Sequence, residues 1–186
     1  PDLDSIDKKV LKKAKLIYIN YPNNPTGASA DDGFFKKVIK LAISNNLIVI
    51  SDAAYTEINF DGYKPKSFLE FEGAKEVGLE FHSLSKTCNM TGWRVGFASG
   101  NKSLIEGLEK VKSNIDSGIF TAIQRAGIVA LKRVDEHLAK INPIYQKRRD
   151  ILVEGLKKEL GWAVIKPKAT FYVWIKTAGG FSSQEF

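Results

Sequence analysis

The amino-acid sequence predicts an α/β fold built on a mostly parallel sheet. Two short apolar runs flank a segment of helical periodicity near the start of the chain, which indicates a strand–helix–strand order. Residues 47–50 are apolar throughout, and this is typical of a strand buried on both faces. Polar residues follow three consecutive predicted strands, and ligands bind at that edge in open α/β sheets.

The first strand–helix–strand unit lies near the start of the chain. Residues 16–19 form a β-rich run that ends in a segment dense in asparagine, proline and glycine. Asp31 and Asp32 stand where a helix N-terminus favours acidic side chains, and apolar residues at helical spacing follow until two asparagines. Residues 47–50 then provide the second strand, so we expect a right-handed parallel unit.

The middle of the chain predicts two more strands and then a change to helices. The runs at residues 78–83 and 94–100 have the composition of strands. Apolar residues at helical spacing predict three later helices, namely one through residues 104–111, one over 122–131 and a long one over 135–160 bent at Pro143.

The end of the chain indicates a change of domain. Two β-rich runs follow the long predicted helix, at residues 162–165 and 170–175, and predict a new pair of strands. We therefore assign residues 1–146 to a large domain, and residues 147–186 to a linking helix and the start of a small C-terminal domain.

Composition and charge exclude several classes of protein. Apolar residues make up 44% of the chain and charged residues 26%, which excludes disorder. Cys88 is the single cysteine, so a disulfide scaffold is excluded; without an export signal, the cytoplasm is the expected compartment. No apolar run reaches the roughly 18 residues of a membrane span.

The basic balance and the histidines also limit the possible partners. The net charge of +7 comes from dispersed lysines and not from a clustered stripe, so we expect no nucleic-acid binding. His82 and His137 have no paired ligands at metal spacing, and we therefore expect no metal site.

Four polar residues near the predicted strand ends have unusual positions. Asp52 ends an apolar strand, where an unpaired carboxylate is costly, so it needs a cation or ring N–H, unless it caps a helix. Lys86 lies among small hydroxyl residues. Crowding by Arg94, or desolvation, would lower its pKa and make the neutral amine a nucleophile; the alternative is an ordinary surface lysine. Ser83 and Arg94 suit a phosphate, although a salt bridge is the alternative for the arginine.

The ordered set of motifs resembles the fold-type I aminotransferases, which depend on pyridoxal 5′-phosphate. The motifs are Asn24-Pro25-Thr26-Gly27, Asp52-Ala53-Ala54-Tyr55, Ser83-Leu84-Ser85-Lys86 and Arg94. The resemblance covers essentially the whole chain and implies a three-layer αβα large domain with a mostly parallel sheet, plus the start of a smaller α+β domain. Segments at residues 21–27, 60–63, 67–70, 73–77 and 112–118 are similar to the LL-diaminopimelate aminotransferase group.

The resemblance implies roles for the site residues. Lys86 would hold the cofactor covalently and then move the proton of the substrate α-carbon. Asp52 would pair with the pyridinium nitrogen and keep it protonated. Asn24 and Tyr55 would hydrogen-bond the 3′-oxygen, although for the tyrosine simple packing beside a strand is the alternative.

The resemblance also implies a phosphate site and an activity. Ser83 and Arg94 would hold the cofactor phosphate. The implied reaction moves the amino group of LL-2,6-diaminopimelate to 2-oxoglutarate on a route to lysine, in a homodimer. A related aminotransferase acting on aspartate, alanine or aromatic amino acids is the alternative. Complete family members are far longer and supply an upstream phosphate loop and a downstream carboxylate-binding arginine. We therefore expect this chain to be a fragment that is inactive alone.

Two other functions fit single features of the sequence. Residues 83–86 match the S-x-x-K pattern of penicillin-binding proteins and serine β-lactamases, but the S-x-N and K-T-G motifs that should follow are absent in that form. A non-catalytic, basic α/β interaction module would explain the net charge of +7. It would not explain why six chemically versatile side chains gather at one sheet edge.

Overall fold

A computed structural model describes residues 1–186, apart from the surroundings of the Ala178 side chain. Its four strands form one sheet in the order β1-β2-β3-β4. Strands β1, β2 and β3 run parallel, whereas β4 is antiparallel to β3. The predicted α/β class with a mostly parallel sheet is therefore confirmed. The strands are β1 Leu16–Asn20, β2 Ile48–Asp52, β3 Gly78–Ser83 and β4 Gly96–Gly100.

The register of the strands brings their polar ends together. Asn20, the last residue of β1, is paired with Asp52, the last residue of β2. Asp52 is in turn paired with Phe81 of β3, two residues before Ser83. Because parallel strands end at the same edge of a sheet, the three polar positions that follow them lie along one edge.

Seven helices accompany the sheet in the part of the chain that the structure describes. The three later helices predicted from apolar spacing are confirmed, and the long one contains Pro143 in its interior. None of the described helices combines the length and the apolar character that crossing a membrane requires. The helices are α1 Lys8–Lys13, α2 Asp32–Asn45, α3 Ala74–Val77, α4 Leu84–Thr87, α5 Lys102–Ile115, α6 Thr121–Lys132 and α7 Val134–Leu160.

Helix α2 forms where the local sequence signals place it. The Asp31 carboxylate accepts the backbone N–H of Phe34 at 2.7 Å and so satisfies one unpaired donor of the first turn. Asn46 ends the helix in the left-handed conformation, with φ 53°. The buried face of α2 packs on β1 and β2 around Ile19 and Val49 to form the main core.

Strand β2 is fully buried on one face only. Val49 and Ser51 are 0% and 3% exposed, whereas Ile48, Ile50 and Asp52 are half-buried. The prediction that residues 47–50 are buried on both faces is therefore wrong for this chain. Side chains alternate across a strand, and α2 with its neighbours covers only the face that carries Val49.

The predicted strand pair at residues 162–165 and 170–175 is not formed. Within residues 1–186 as described, the region contributes only an isolated bridge between Asn59 and Ala169. A strand needs a continuous partner for its backbone groups, and the second predicted run begins at Thr170, whose φ of +68° lies outside the extended region. Residues 167–172, here called the docked segment, instead lie against the loop that follows β2.

Candidate functional site

The six predicted site residues all lie near the sheet edge where β1, β2 and β3 end. Asn24 lies in the turn after β1, Asp52 ends β2 and Tyr55 lies in the next turn. Ser83, Lys86 and Arg94 lie at or after the end of β3. The structure thus brings side chains from three separate stretches of sequence to one edge.

The Asp52 carboxylate is held by two donors. One oxygen, Oδ2, accepts the hydroxyl of Tyr18 at 3.0 Å, and the other, Oδ1, accepts the backbone N–H of Ala54 at 3.3 Å. The pKa of Tyr18 is raised, chiefly by burial and then by the hydrogen bond to Asp52, so the Tyr18 hydroxyl keeps its proton and stays a donor. No helix starts directly after Asp52 in the described chain, which makes the helix-cap alternative wrong.

Tyr55 is the most buried of the predicted site residues, with 4% of its surface exposed. Its hydroxyl oxygen accepts the side-chain N–H of Asn24 at 3.3 Å and lies 2.9 Å from the hydroxyl oxygen of Tyr172. Burial raises the pKa of Tyr55 well above the usual range of a tyrosine, so its hydroxyl stays protonated at neutral pH. A buried phenol with these partners is a hydrogen-bond donor held in one place.

Lys86 lies on the single turn of α4, directly after the end of β3. Leu84, Ser85 and Thr87 of this turn are buried, whereas Lys86 is half-buried. Its side-chain nitrogen, Nζ, lies 5.9 Å from the ring centroid of Tyr55. Lys86 makes no ion pair with an acid among the residues that the structure describes, so its amine is available to a ligand.

Ser83 and Arg94 flank one backbone hydrogen bond at the start of α4. The N–H of Leu84 donates to the carbonyl of Val95 at 3.2 Å, and in this antiparallel register Ser83 is paired with Gly96, two residues after Arg94. The Ser83 hydroxyl makes no capping bond to α4. Arg94 is exposed, donates only to the Thr91 carbonyl at 3.0 Å, and forms no salt bridge within the described chain. The salt-bridge alternative for Arg94 is therefore wrong.

Two site neighbours were not predicted from the sequence. Tyr172 contacts Tyr55 across 117 positions of sequence, and Tyr18 contacts Asp52 across 34. Tyr18 carries a weak signal, because it precedes Asn20 by two positions and therefore shares a face of β1 with it. For Tyr172 no local signal exists, since its run of β-rich residues predicts a strand.

A cavity of about 530 Å³ lies elsewhere, between the loop after β2 and the first half of α7. Glu57, Asp61 and Asn142 are among its lining residues, and none of the six predicted site residues lines it. This cavity and the predicted site residues therefore lie in different parts of the molecule. The sheet edge is the better candidate, because it holds an available amine, a positioned carboxylate and a buried phenol together.

The donors and acceptors at the edge fit pyridoxal 5′-phosphate. The carboxylate of Asp52 suits a ring N–H, and the Asn24 amide with the Tyr55 phenol suits an anionic ring oxygen. The Ser83 hydroxyl and the Arg94 guanidinium suit a phosphate, and the Lys86 amine suits an aldehyde.

Comparison with known proteins places the chain in a defined context. A family model described as aminotransferase class I and II matches residues 1–184. LL-diaminopimelate aminotransferase from Halothermothrix orenii is 56% identical over 186 residues, which cover 100% of this chain and 48% of that protein. The enzyme of the same name from Syntrophobacter fumaroxidans is 58% identical, with the same coverage of 100% and 48%. The chain therefore spans about half the length of these curated relatives.

Solved structures agree with this comparison. Substrate-bound BacF from Bacillus subtilis superposes with a TM-score of 0.95 at 45% identity, covering 100% of this chain and 47% of that one. A probable N-succinyldiaminopimelate aminotransferase from Thermus thermophilus superposes with a TM-score of 0.89 at 38% identity, covering 97% and 48%.

Proposed function

The chain belongs to the class I and II aminotransferase family, and from this premise we propose that the complete protein transfers the amino group of LL-2,6-diaminopimelate to 2-oxoglutarate. The products are tetrahydrodipicolinate and glutamate. Enzymes of this family use pyridoxal 5′-phosphate and act on amino acids and 2-oxo acids. The identity of 56% and 58% to two proteins named for the diaminopimelate reaction supports this substrate over aspartate, alanine or an aromatic amino acid.

One observation carries the proposal for the site. An amine, a carboxylate and a buried phenol from three stretches of sequence meet at the sheet edge, with Lys86 Nζ 5.9 Å from the Tyr55 ring centroid. When bound, the cofactor supplies a protonated aromatic ring that withdraws electrons from the substrate α-carbon. The chain's own residues then bind, orient and move protons around that centre.

Lys86 and Asp52 have the central roles in this proposal. The Lys86 amine would hold the cofactor covalently, and as a free amine it would take the proton from the substrate α-carbon as a general base. The Asp52 carboxylate accepts the ring N–H and keeps that nitrogen protonated. Tyr18 and the Ala54 N–H hold the carboxylate in place through the bonds at 3.0 Å and 3.3 Å, so no reorganisation is needed when the ring binds.

The remaining residues orient the cofactor. Asn24 and Tyr55 donate hydrogen bonds to its 3′-oxygen and so favour the anionic form of that oxygen. Ser83 and Arg94 donate to the phosphate. Arg94 is suited to this because its guanidinium is planar, always charged and free of acidic partners in the described chain.

The proposal extends to the organisation of the complete protein. We propose a cytoplasmic homodimer that binds neither nucleic acid nor membrane. Residues 1–146 would belong to the cofactor-binding large domain, and residues 147–186 would link it to a small C-terminal domain. This division falls inside α7, Val134–Leu160, which suits a helix that connects two domains.

Kinetics of the complete protein test the proposed function. With 2-oxoglutarate as acceptor, kcat/KM should be higher for LL-diaminopimelate than for aspartate, and Lys86→Ala should lower kcat about 10²- to 10⁴-fold because it removes the general base. Borohydride reduction should fix the cofactor on Lys86. Lys102→Ala is the control, since that side chain is 90% exposed on α5 and should leave kcat unchanged.

Two results would contradict the proposal. A higher kcat/KM for aspartate would assign a different substrate to the same chemistry. Cofactor label spread over surface lysines, with an unchanged absorption band in Lys86→Ala, would remove the site altogether.

A further inference from the structure

The hydroxyl of Tyr172 meets the hydroxyl of Tyr55 inside the site. The two oxygens lie 2.9 Å apart, and the rings pack edge to face with centroids 5.4 Å apart. Phe171 packs on the same Tyr55 ring at 5.5 Å. Since Tyr55 is only 4% exposed, these contacts leave its hydroxyl few alternative partners.

Backbone hydrogen bonds join the docked segment to the loop that follows β2 and carries Tyr55, here called the Tyr55 loop. The backbone N–H of Thr170 donates to the Ile58 carbonyl at 2.8 Å, and the N–H of Phe60 donates to the Lys168 carbonyl at 3.0 Å. Thr170 is fully buried, and its hydroxyl accepts the N–H of Tyr172 at 3.1 Å. These bonds fix the position of the Tyr172 backbone, from which its side chain extends toward Tyr55.

The docked segment is also held on the side of the turn that carries Asn24. Gly27 ends that turn with a φ of +68°, and a side-chain carbon there would lie 3.1 Å from Pro167 Cβ and 3.3 Å from the Tyr172 carbonyl oxygen. The segment therefore lies between the Asn24 turn and the Tyr55 loop. The docked segment thus contacts both pieces of chain that carry the residues proposed to contact the 3′-oxygen, Asn24 and Tyr55.

A count of hydrogens gives the consequence of Tyr172 being the donor in this pair. The Tyr55 oxygen has two lone pairs and one hydrogen. The Asn24 amide donates to one lone pair at 3.3 Å. The Tyr172 hydroxyl lies 2.9 Å away and either hydroxyl of the pair can donate; when Tyr172 donates, it occupies the other lone pair. The Tyr55 hydrogen is then left to a third partner.

We infer that Tyr172 is a positioning residue whose hydroxyl donates to Tyr55 and so directs the Tyr55 hydrogen toward the 3′-oxygen of pyridoxal 5′-phosphate. The inference rests on the proposed function, because it needs that oxygen as the acceptor. Donation by Tyr172 also polarises the Tyr55 hydroxyl and makes it a stronger donor, as in other chains of hydrogen bonds.

Binding and spectroscopy of the complete protein test this role. Tyr172→Phe should raise the Kd of the apoprotein for pyridoxal 5′-phosphate roughly 2- to 10-fold, the worth of one net hydrogen bond. The pH midpoint of the bound cofactor's absorption band should rise, because a weaker donor stabilises the anionic oxygen less. Tyr55→Phe should raise both quantities further.

A double-mutant cycle separates positioning from general structure. If Tyr172 acts through Tyr55, then Tyr172→Phe should change neither quantity in the Tyr55→Phe background. Any folding cost of the Tyr172 change is present in both backgrounds and cancels. Tyr145→Phe is the matched control, because Tyr145 belongs to the same aromatic cluster as Tyr172. The Tyr145 hydroxyl donates to Asn89 at 3.2 Å and not to Tyr55, so its removal leaves the Tyr55 hydrogen bonds intact.

The outcomes distinguish this inference from the proposed function. Wild-type values of Kd and pH midpoint in Tyr172→Phe, or equal effects in both backgrounds, would overturn the role of Tyr172. A wild-type protein that does not bind the cofactor at Lys86 would instead overturn the proposed function.

Discussion

Glu80 illustrates at the residue scale how this fold accommodates a buried charge. The side chain is 1% exposed in the middle of β3. Its carboxylate accepts the Ser67 hydroxyl at 2.7 Å and the Phe68 N–H at 2.7 Å, and lies 2.9 Å from His82 Nε2. Burial by itself would raise the pKa of Glu80, but the bonds from His82 and Ser67 outweigh it and the net direction is down. The carboxylate thus fastens the 67–70 turn to the sheet.

Replacing this carboxylate should cost stability in a pH-dependent way. Because the folded pKa of Glu80 lies below its ordinary 4.5, its contribution is present above that pH and is lost as the pH falls through the lower folded value. Glu80→Gln should therefore lower the free energy of unfolding by about 1–3 kcal/mol at neutral pH, with a smaller loss in acid.

Denaturant titrations of the complete apoprotein at pH 7 and in acid check this prediction. Glu72→Gln is the control, because Glu72 is exposed and only two residues from the 67–70 turn. Equal losses for Glu80→Gln at both pH values would show that the charge itself contributes nothing.

At the scale of elements, local and distant interactions have different parts. The bounds of α2 follow from Asp31 and Asn46 at its own ends, so its sequence predicts them. The docked segment has a strand-like sequence but no adjacent strand, and its hydrogen bonds go to a loop about 110 positions earlier. Periodicity cannot reveal a missing partner, which is why the predicted strand pair was wrong.

A pair of glycines tests whether the turn after β1 supports the docked segment. Gly27 and Gly62 both have positive φ, at +68° and +75°, so alanine is strained at either position. Only at Gly27 would the added carbon meet the docked segment; at Gly62 nothing lies within 4 Å. Gly27→Ala should therefore cost about 1–3 kcal/mol more than Gly62→Ala.

Thermal unfolding and cofactor titration of the two variants provide the comparison. Gly27→Ala should also raise the Kd for pyridoxal 5′-phosphate, since it displaces the backbone of Tyr172. Gly62→Ala should leave that Kd unchanged. An identical Kd in both variants would mean that the turn and the docked segment are independent.

At the scale of the whole molecule, Arg149 joins three parts of the chain. It lies on α7, is 4% exposed and stacks over the Phe60 ring at 4.6 Å. Its guanidinium donates to the Pro167 carbonyl at 2.9 Å and pairs with Asp61 at 2.8 Å. The long helix, the loop after β2 and the docked segment are therefore held by one side chain.

Loss of Arg149 should loosen the docked segment. Arg149→Met should lower the free energy of unfolding by about 2–4 kcal/mol, somewhat less than for a fully buried pair because Asp61 keeps access to water. Hydrogen exchange should rise in residues 167–172. Arg148→Met is the control, since that exposed neighbour should change stability by less than about 0.5 kcal/mol. Unchanged exchange in Arg149→Met would contradict this role.

The sequence by itself determined the α/β class, the helices α2, α5, α6 and α7, and the chemical character of the predicted site residues. Each depends on local periodicity, on capping residues or on motifs such as Asn24–Gly27 and Ser83–Lys86, and these are visible in a few neighbouring positions. Parallel strands end at one edge, so the meeting of Asp52 with the residues after β3 could be predicted as well.

Only the tertiary structure decided which groups surround those residues. Tyr172 reaches Tyr55, Tyr18 reaches Asp52, and Arg149 ties α7 to the docked segment. These contacts join positions 18 to 117 residues apart. They arise because buried polar groups must find partners wherever the packing brings them, and no local pattern in the sequence records that choice.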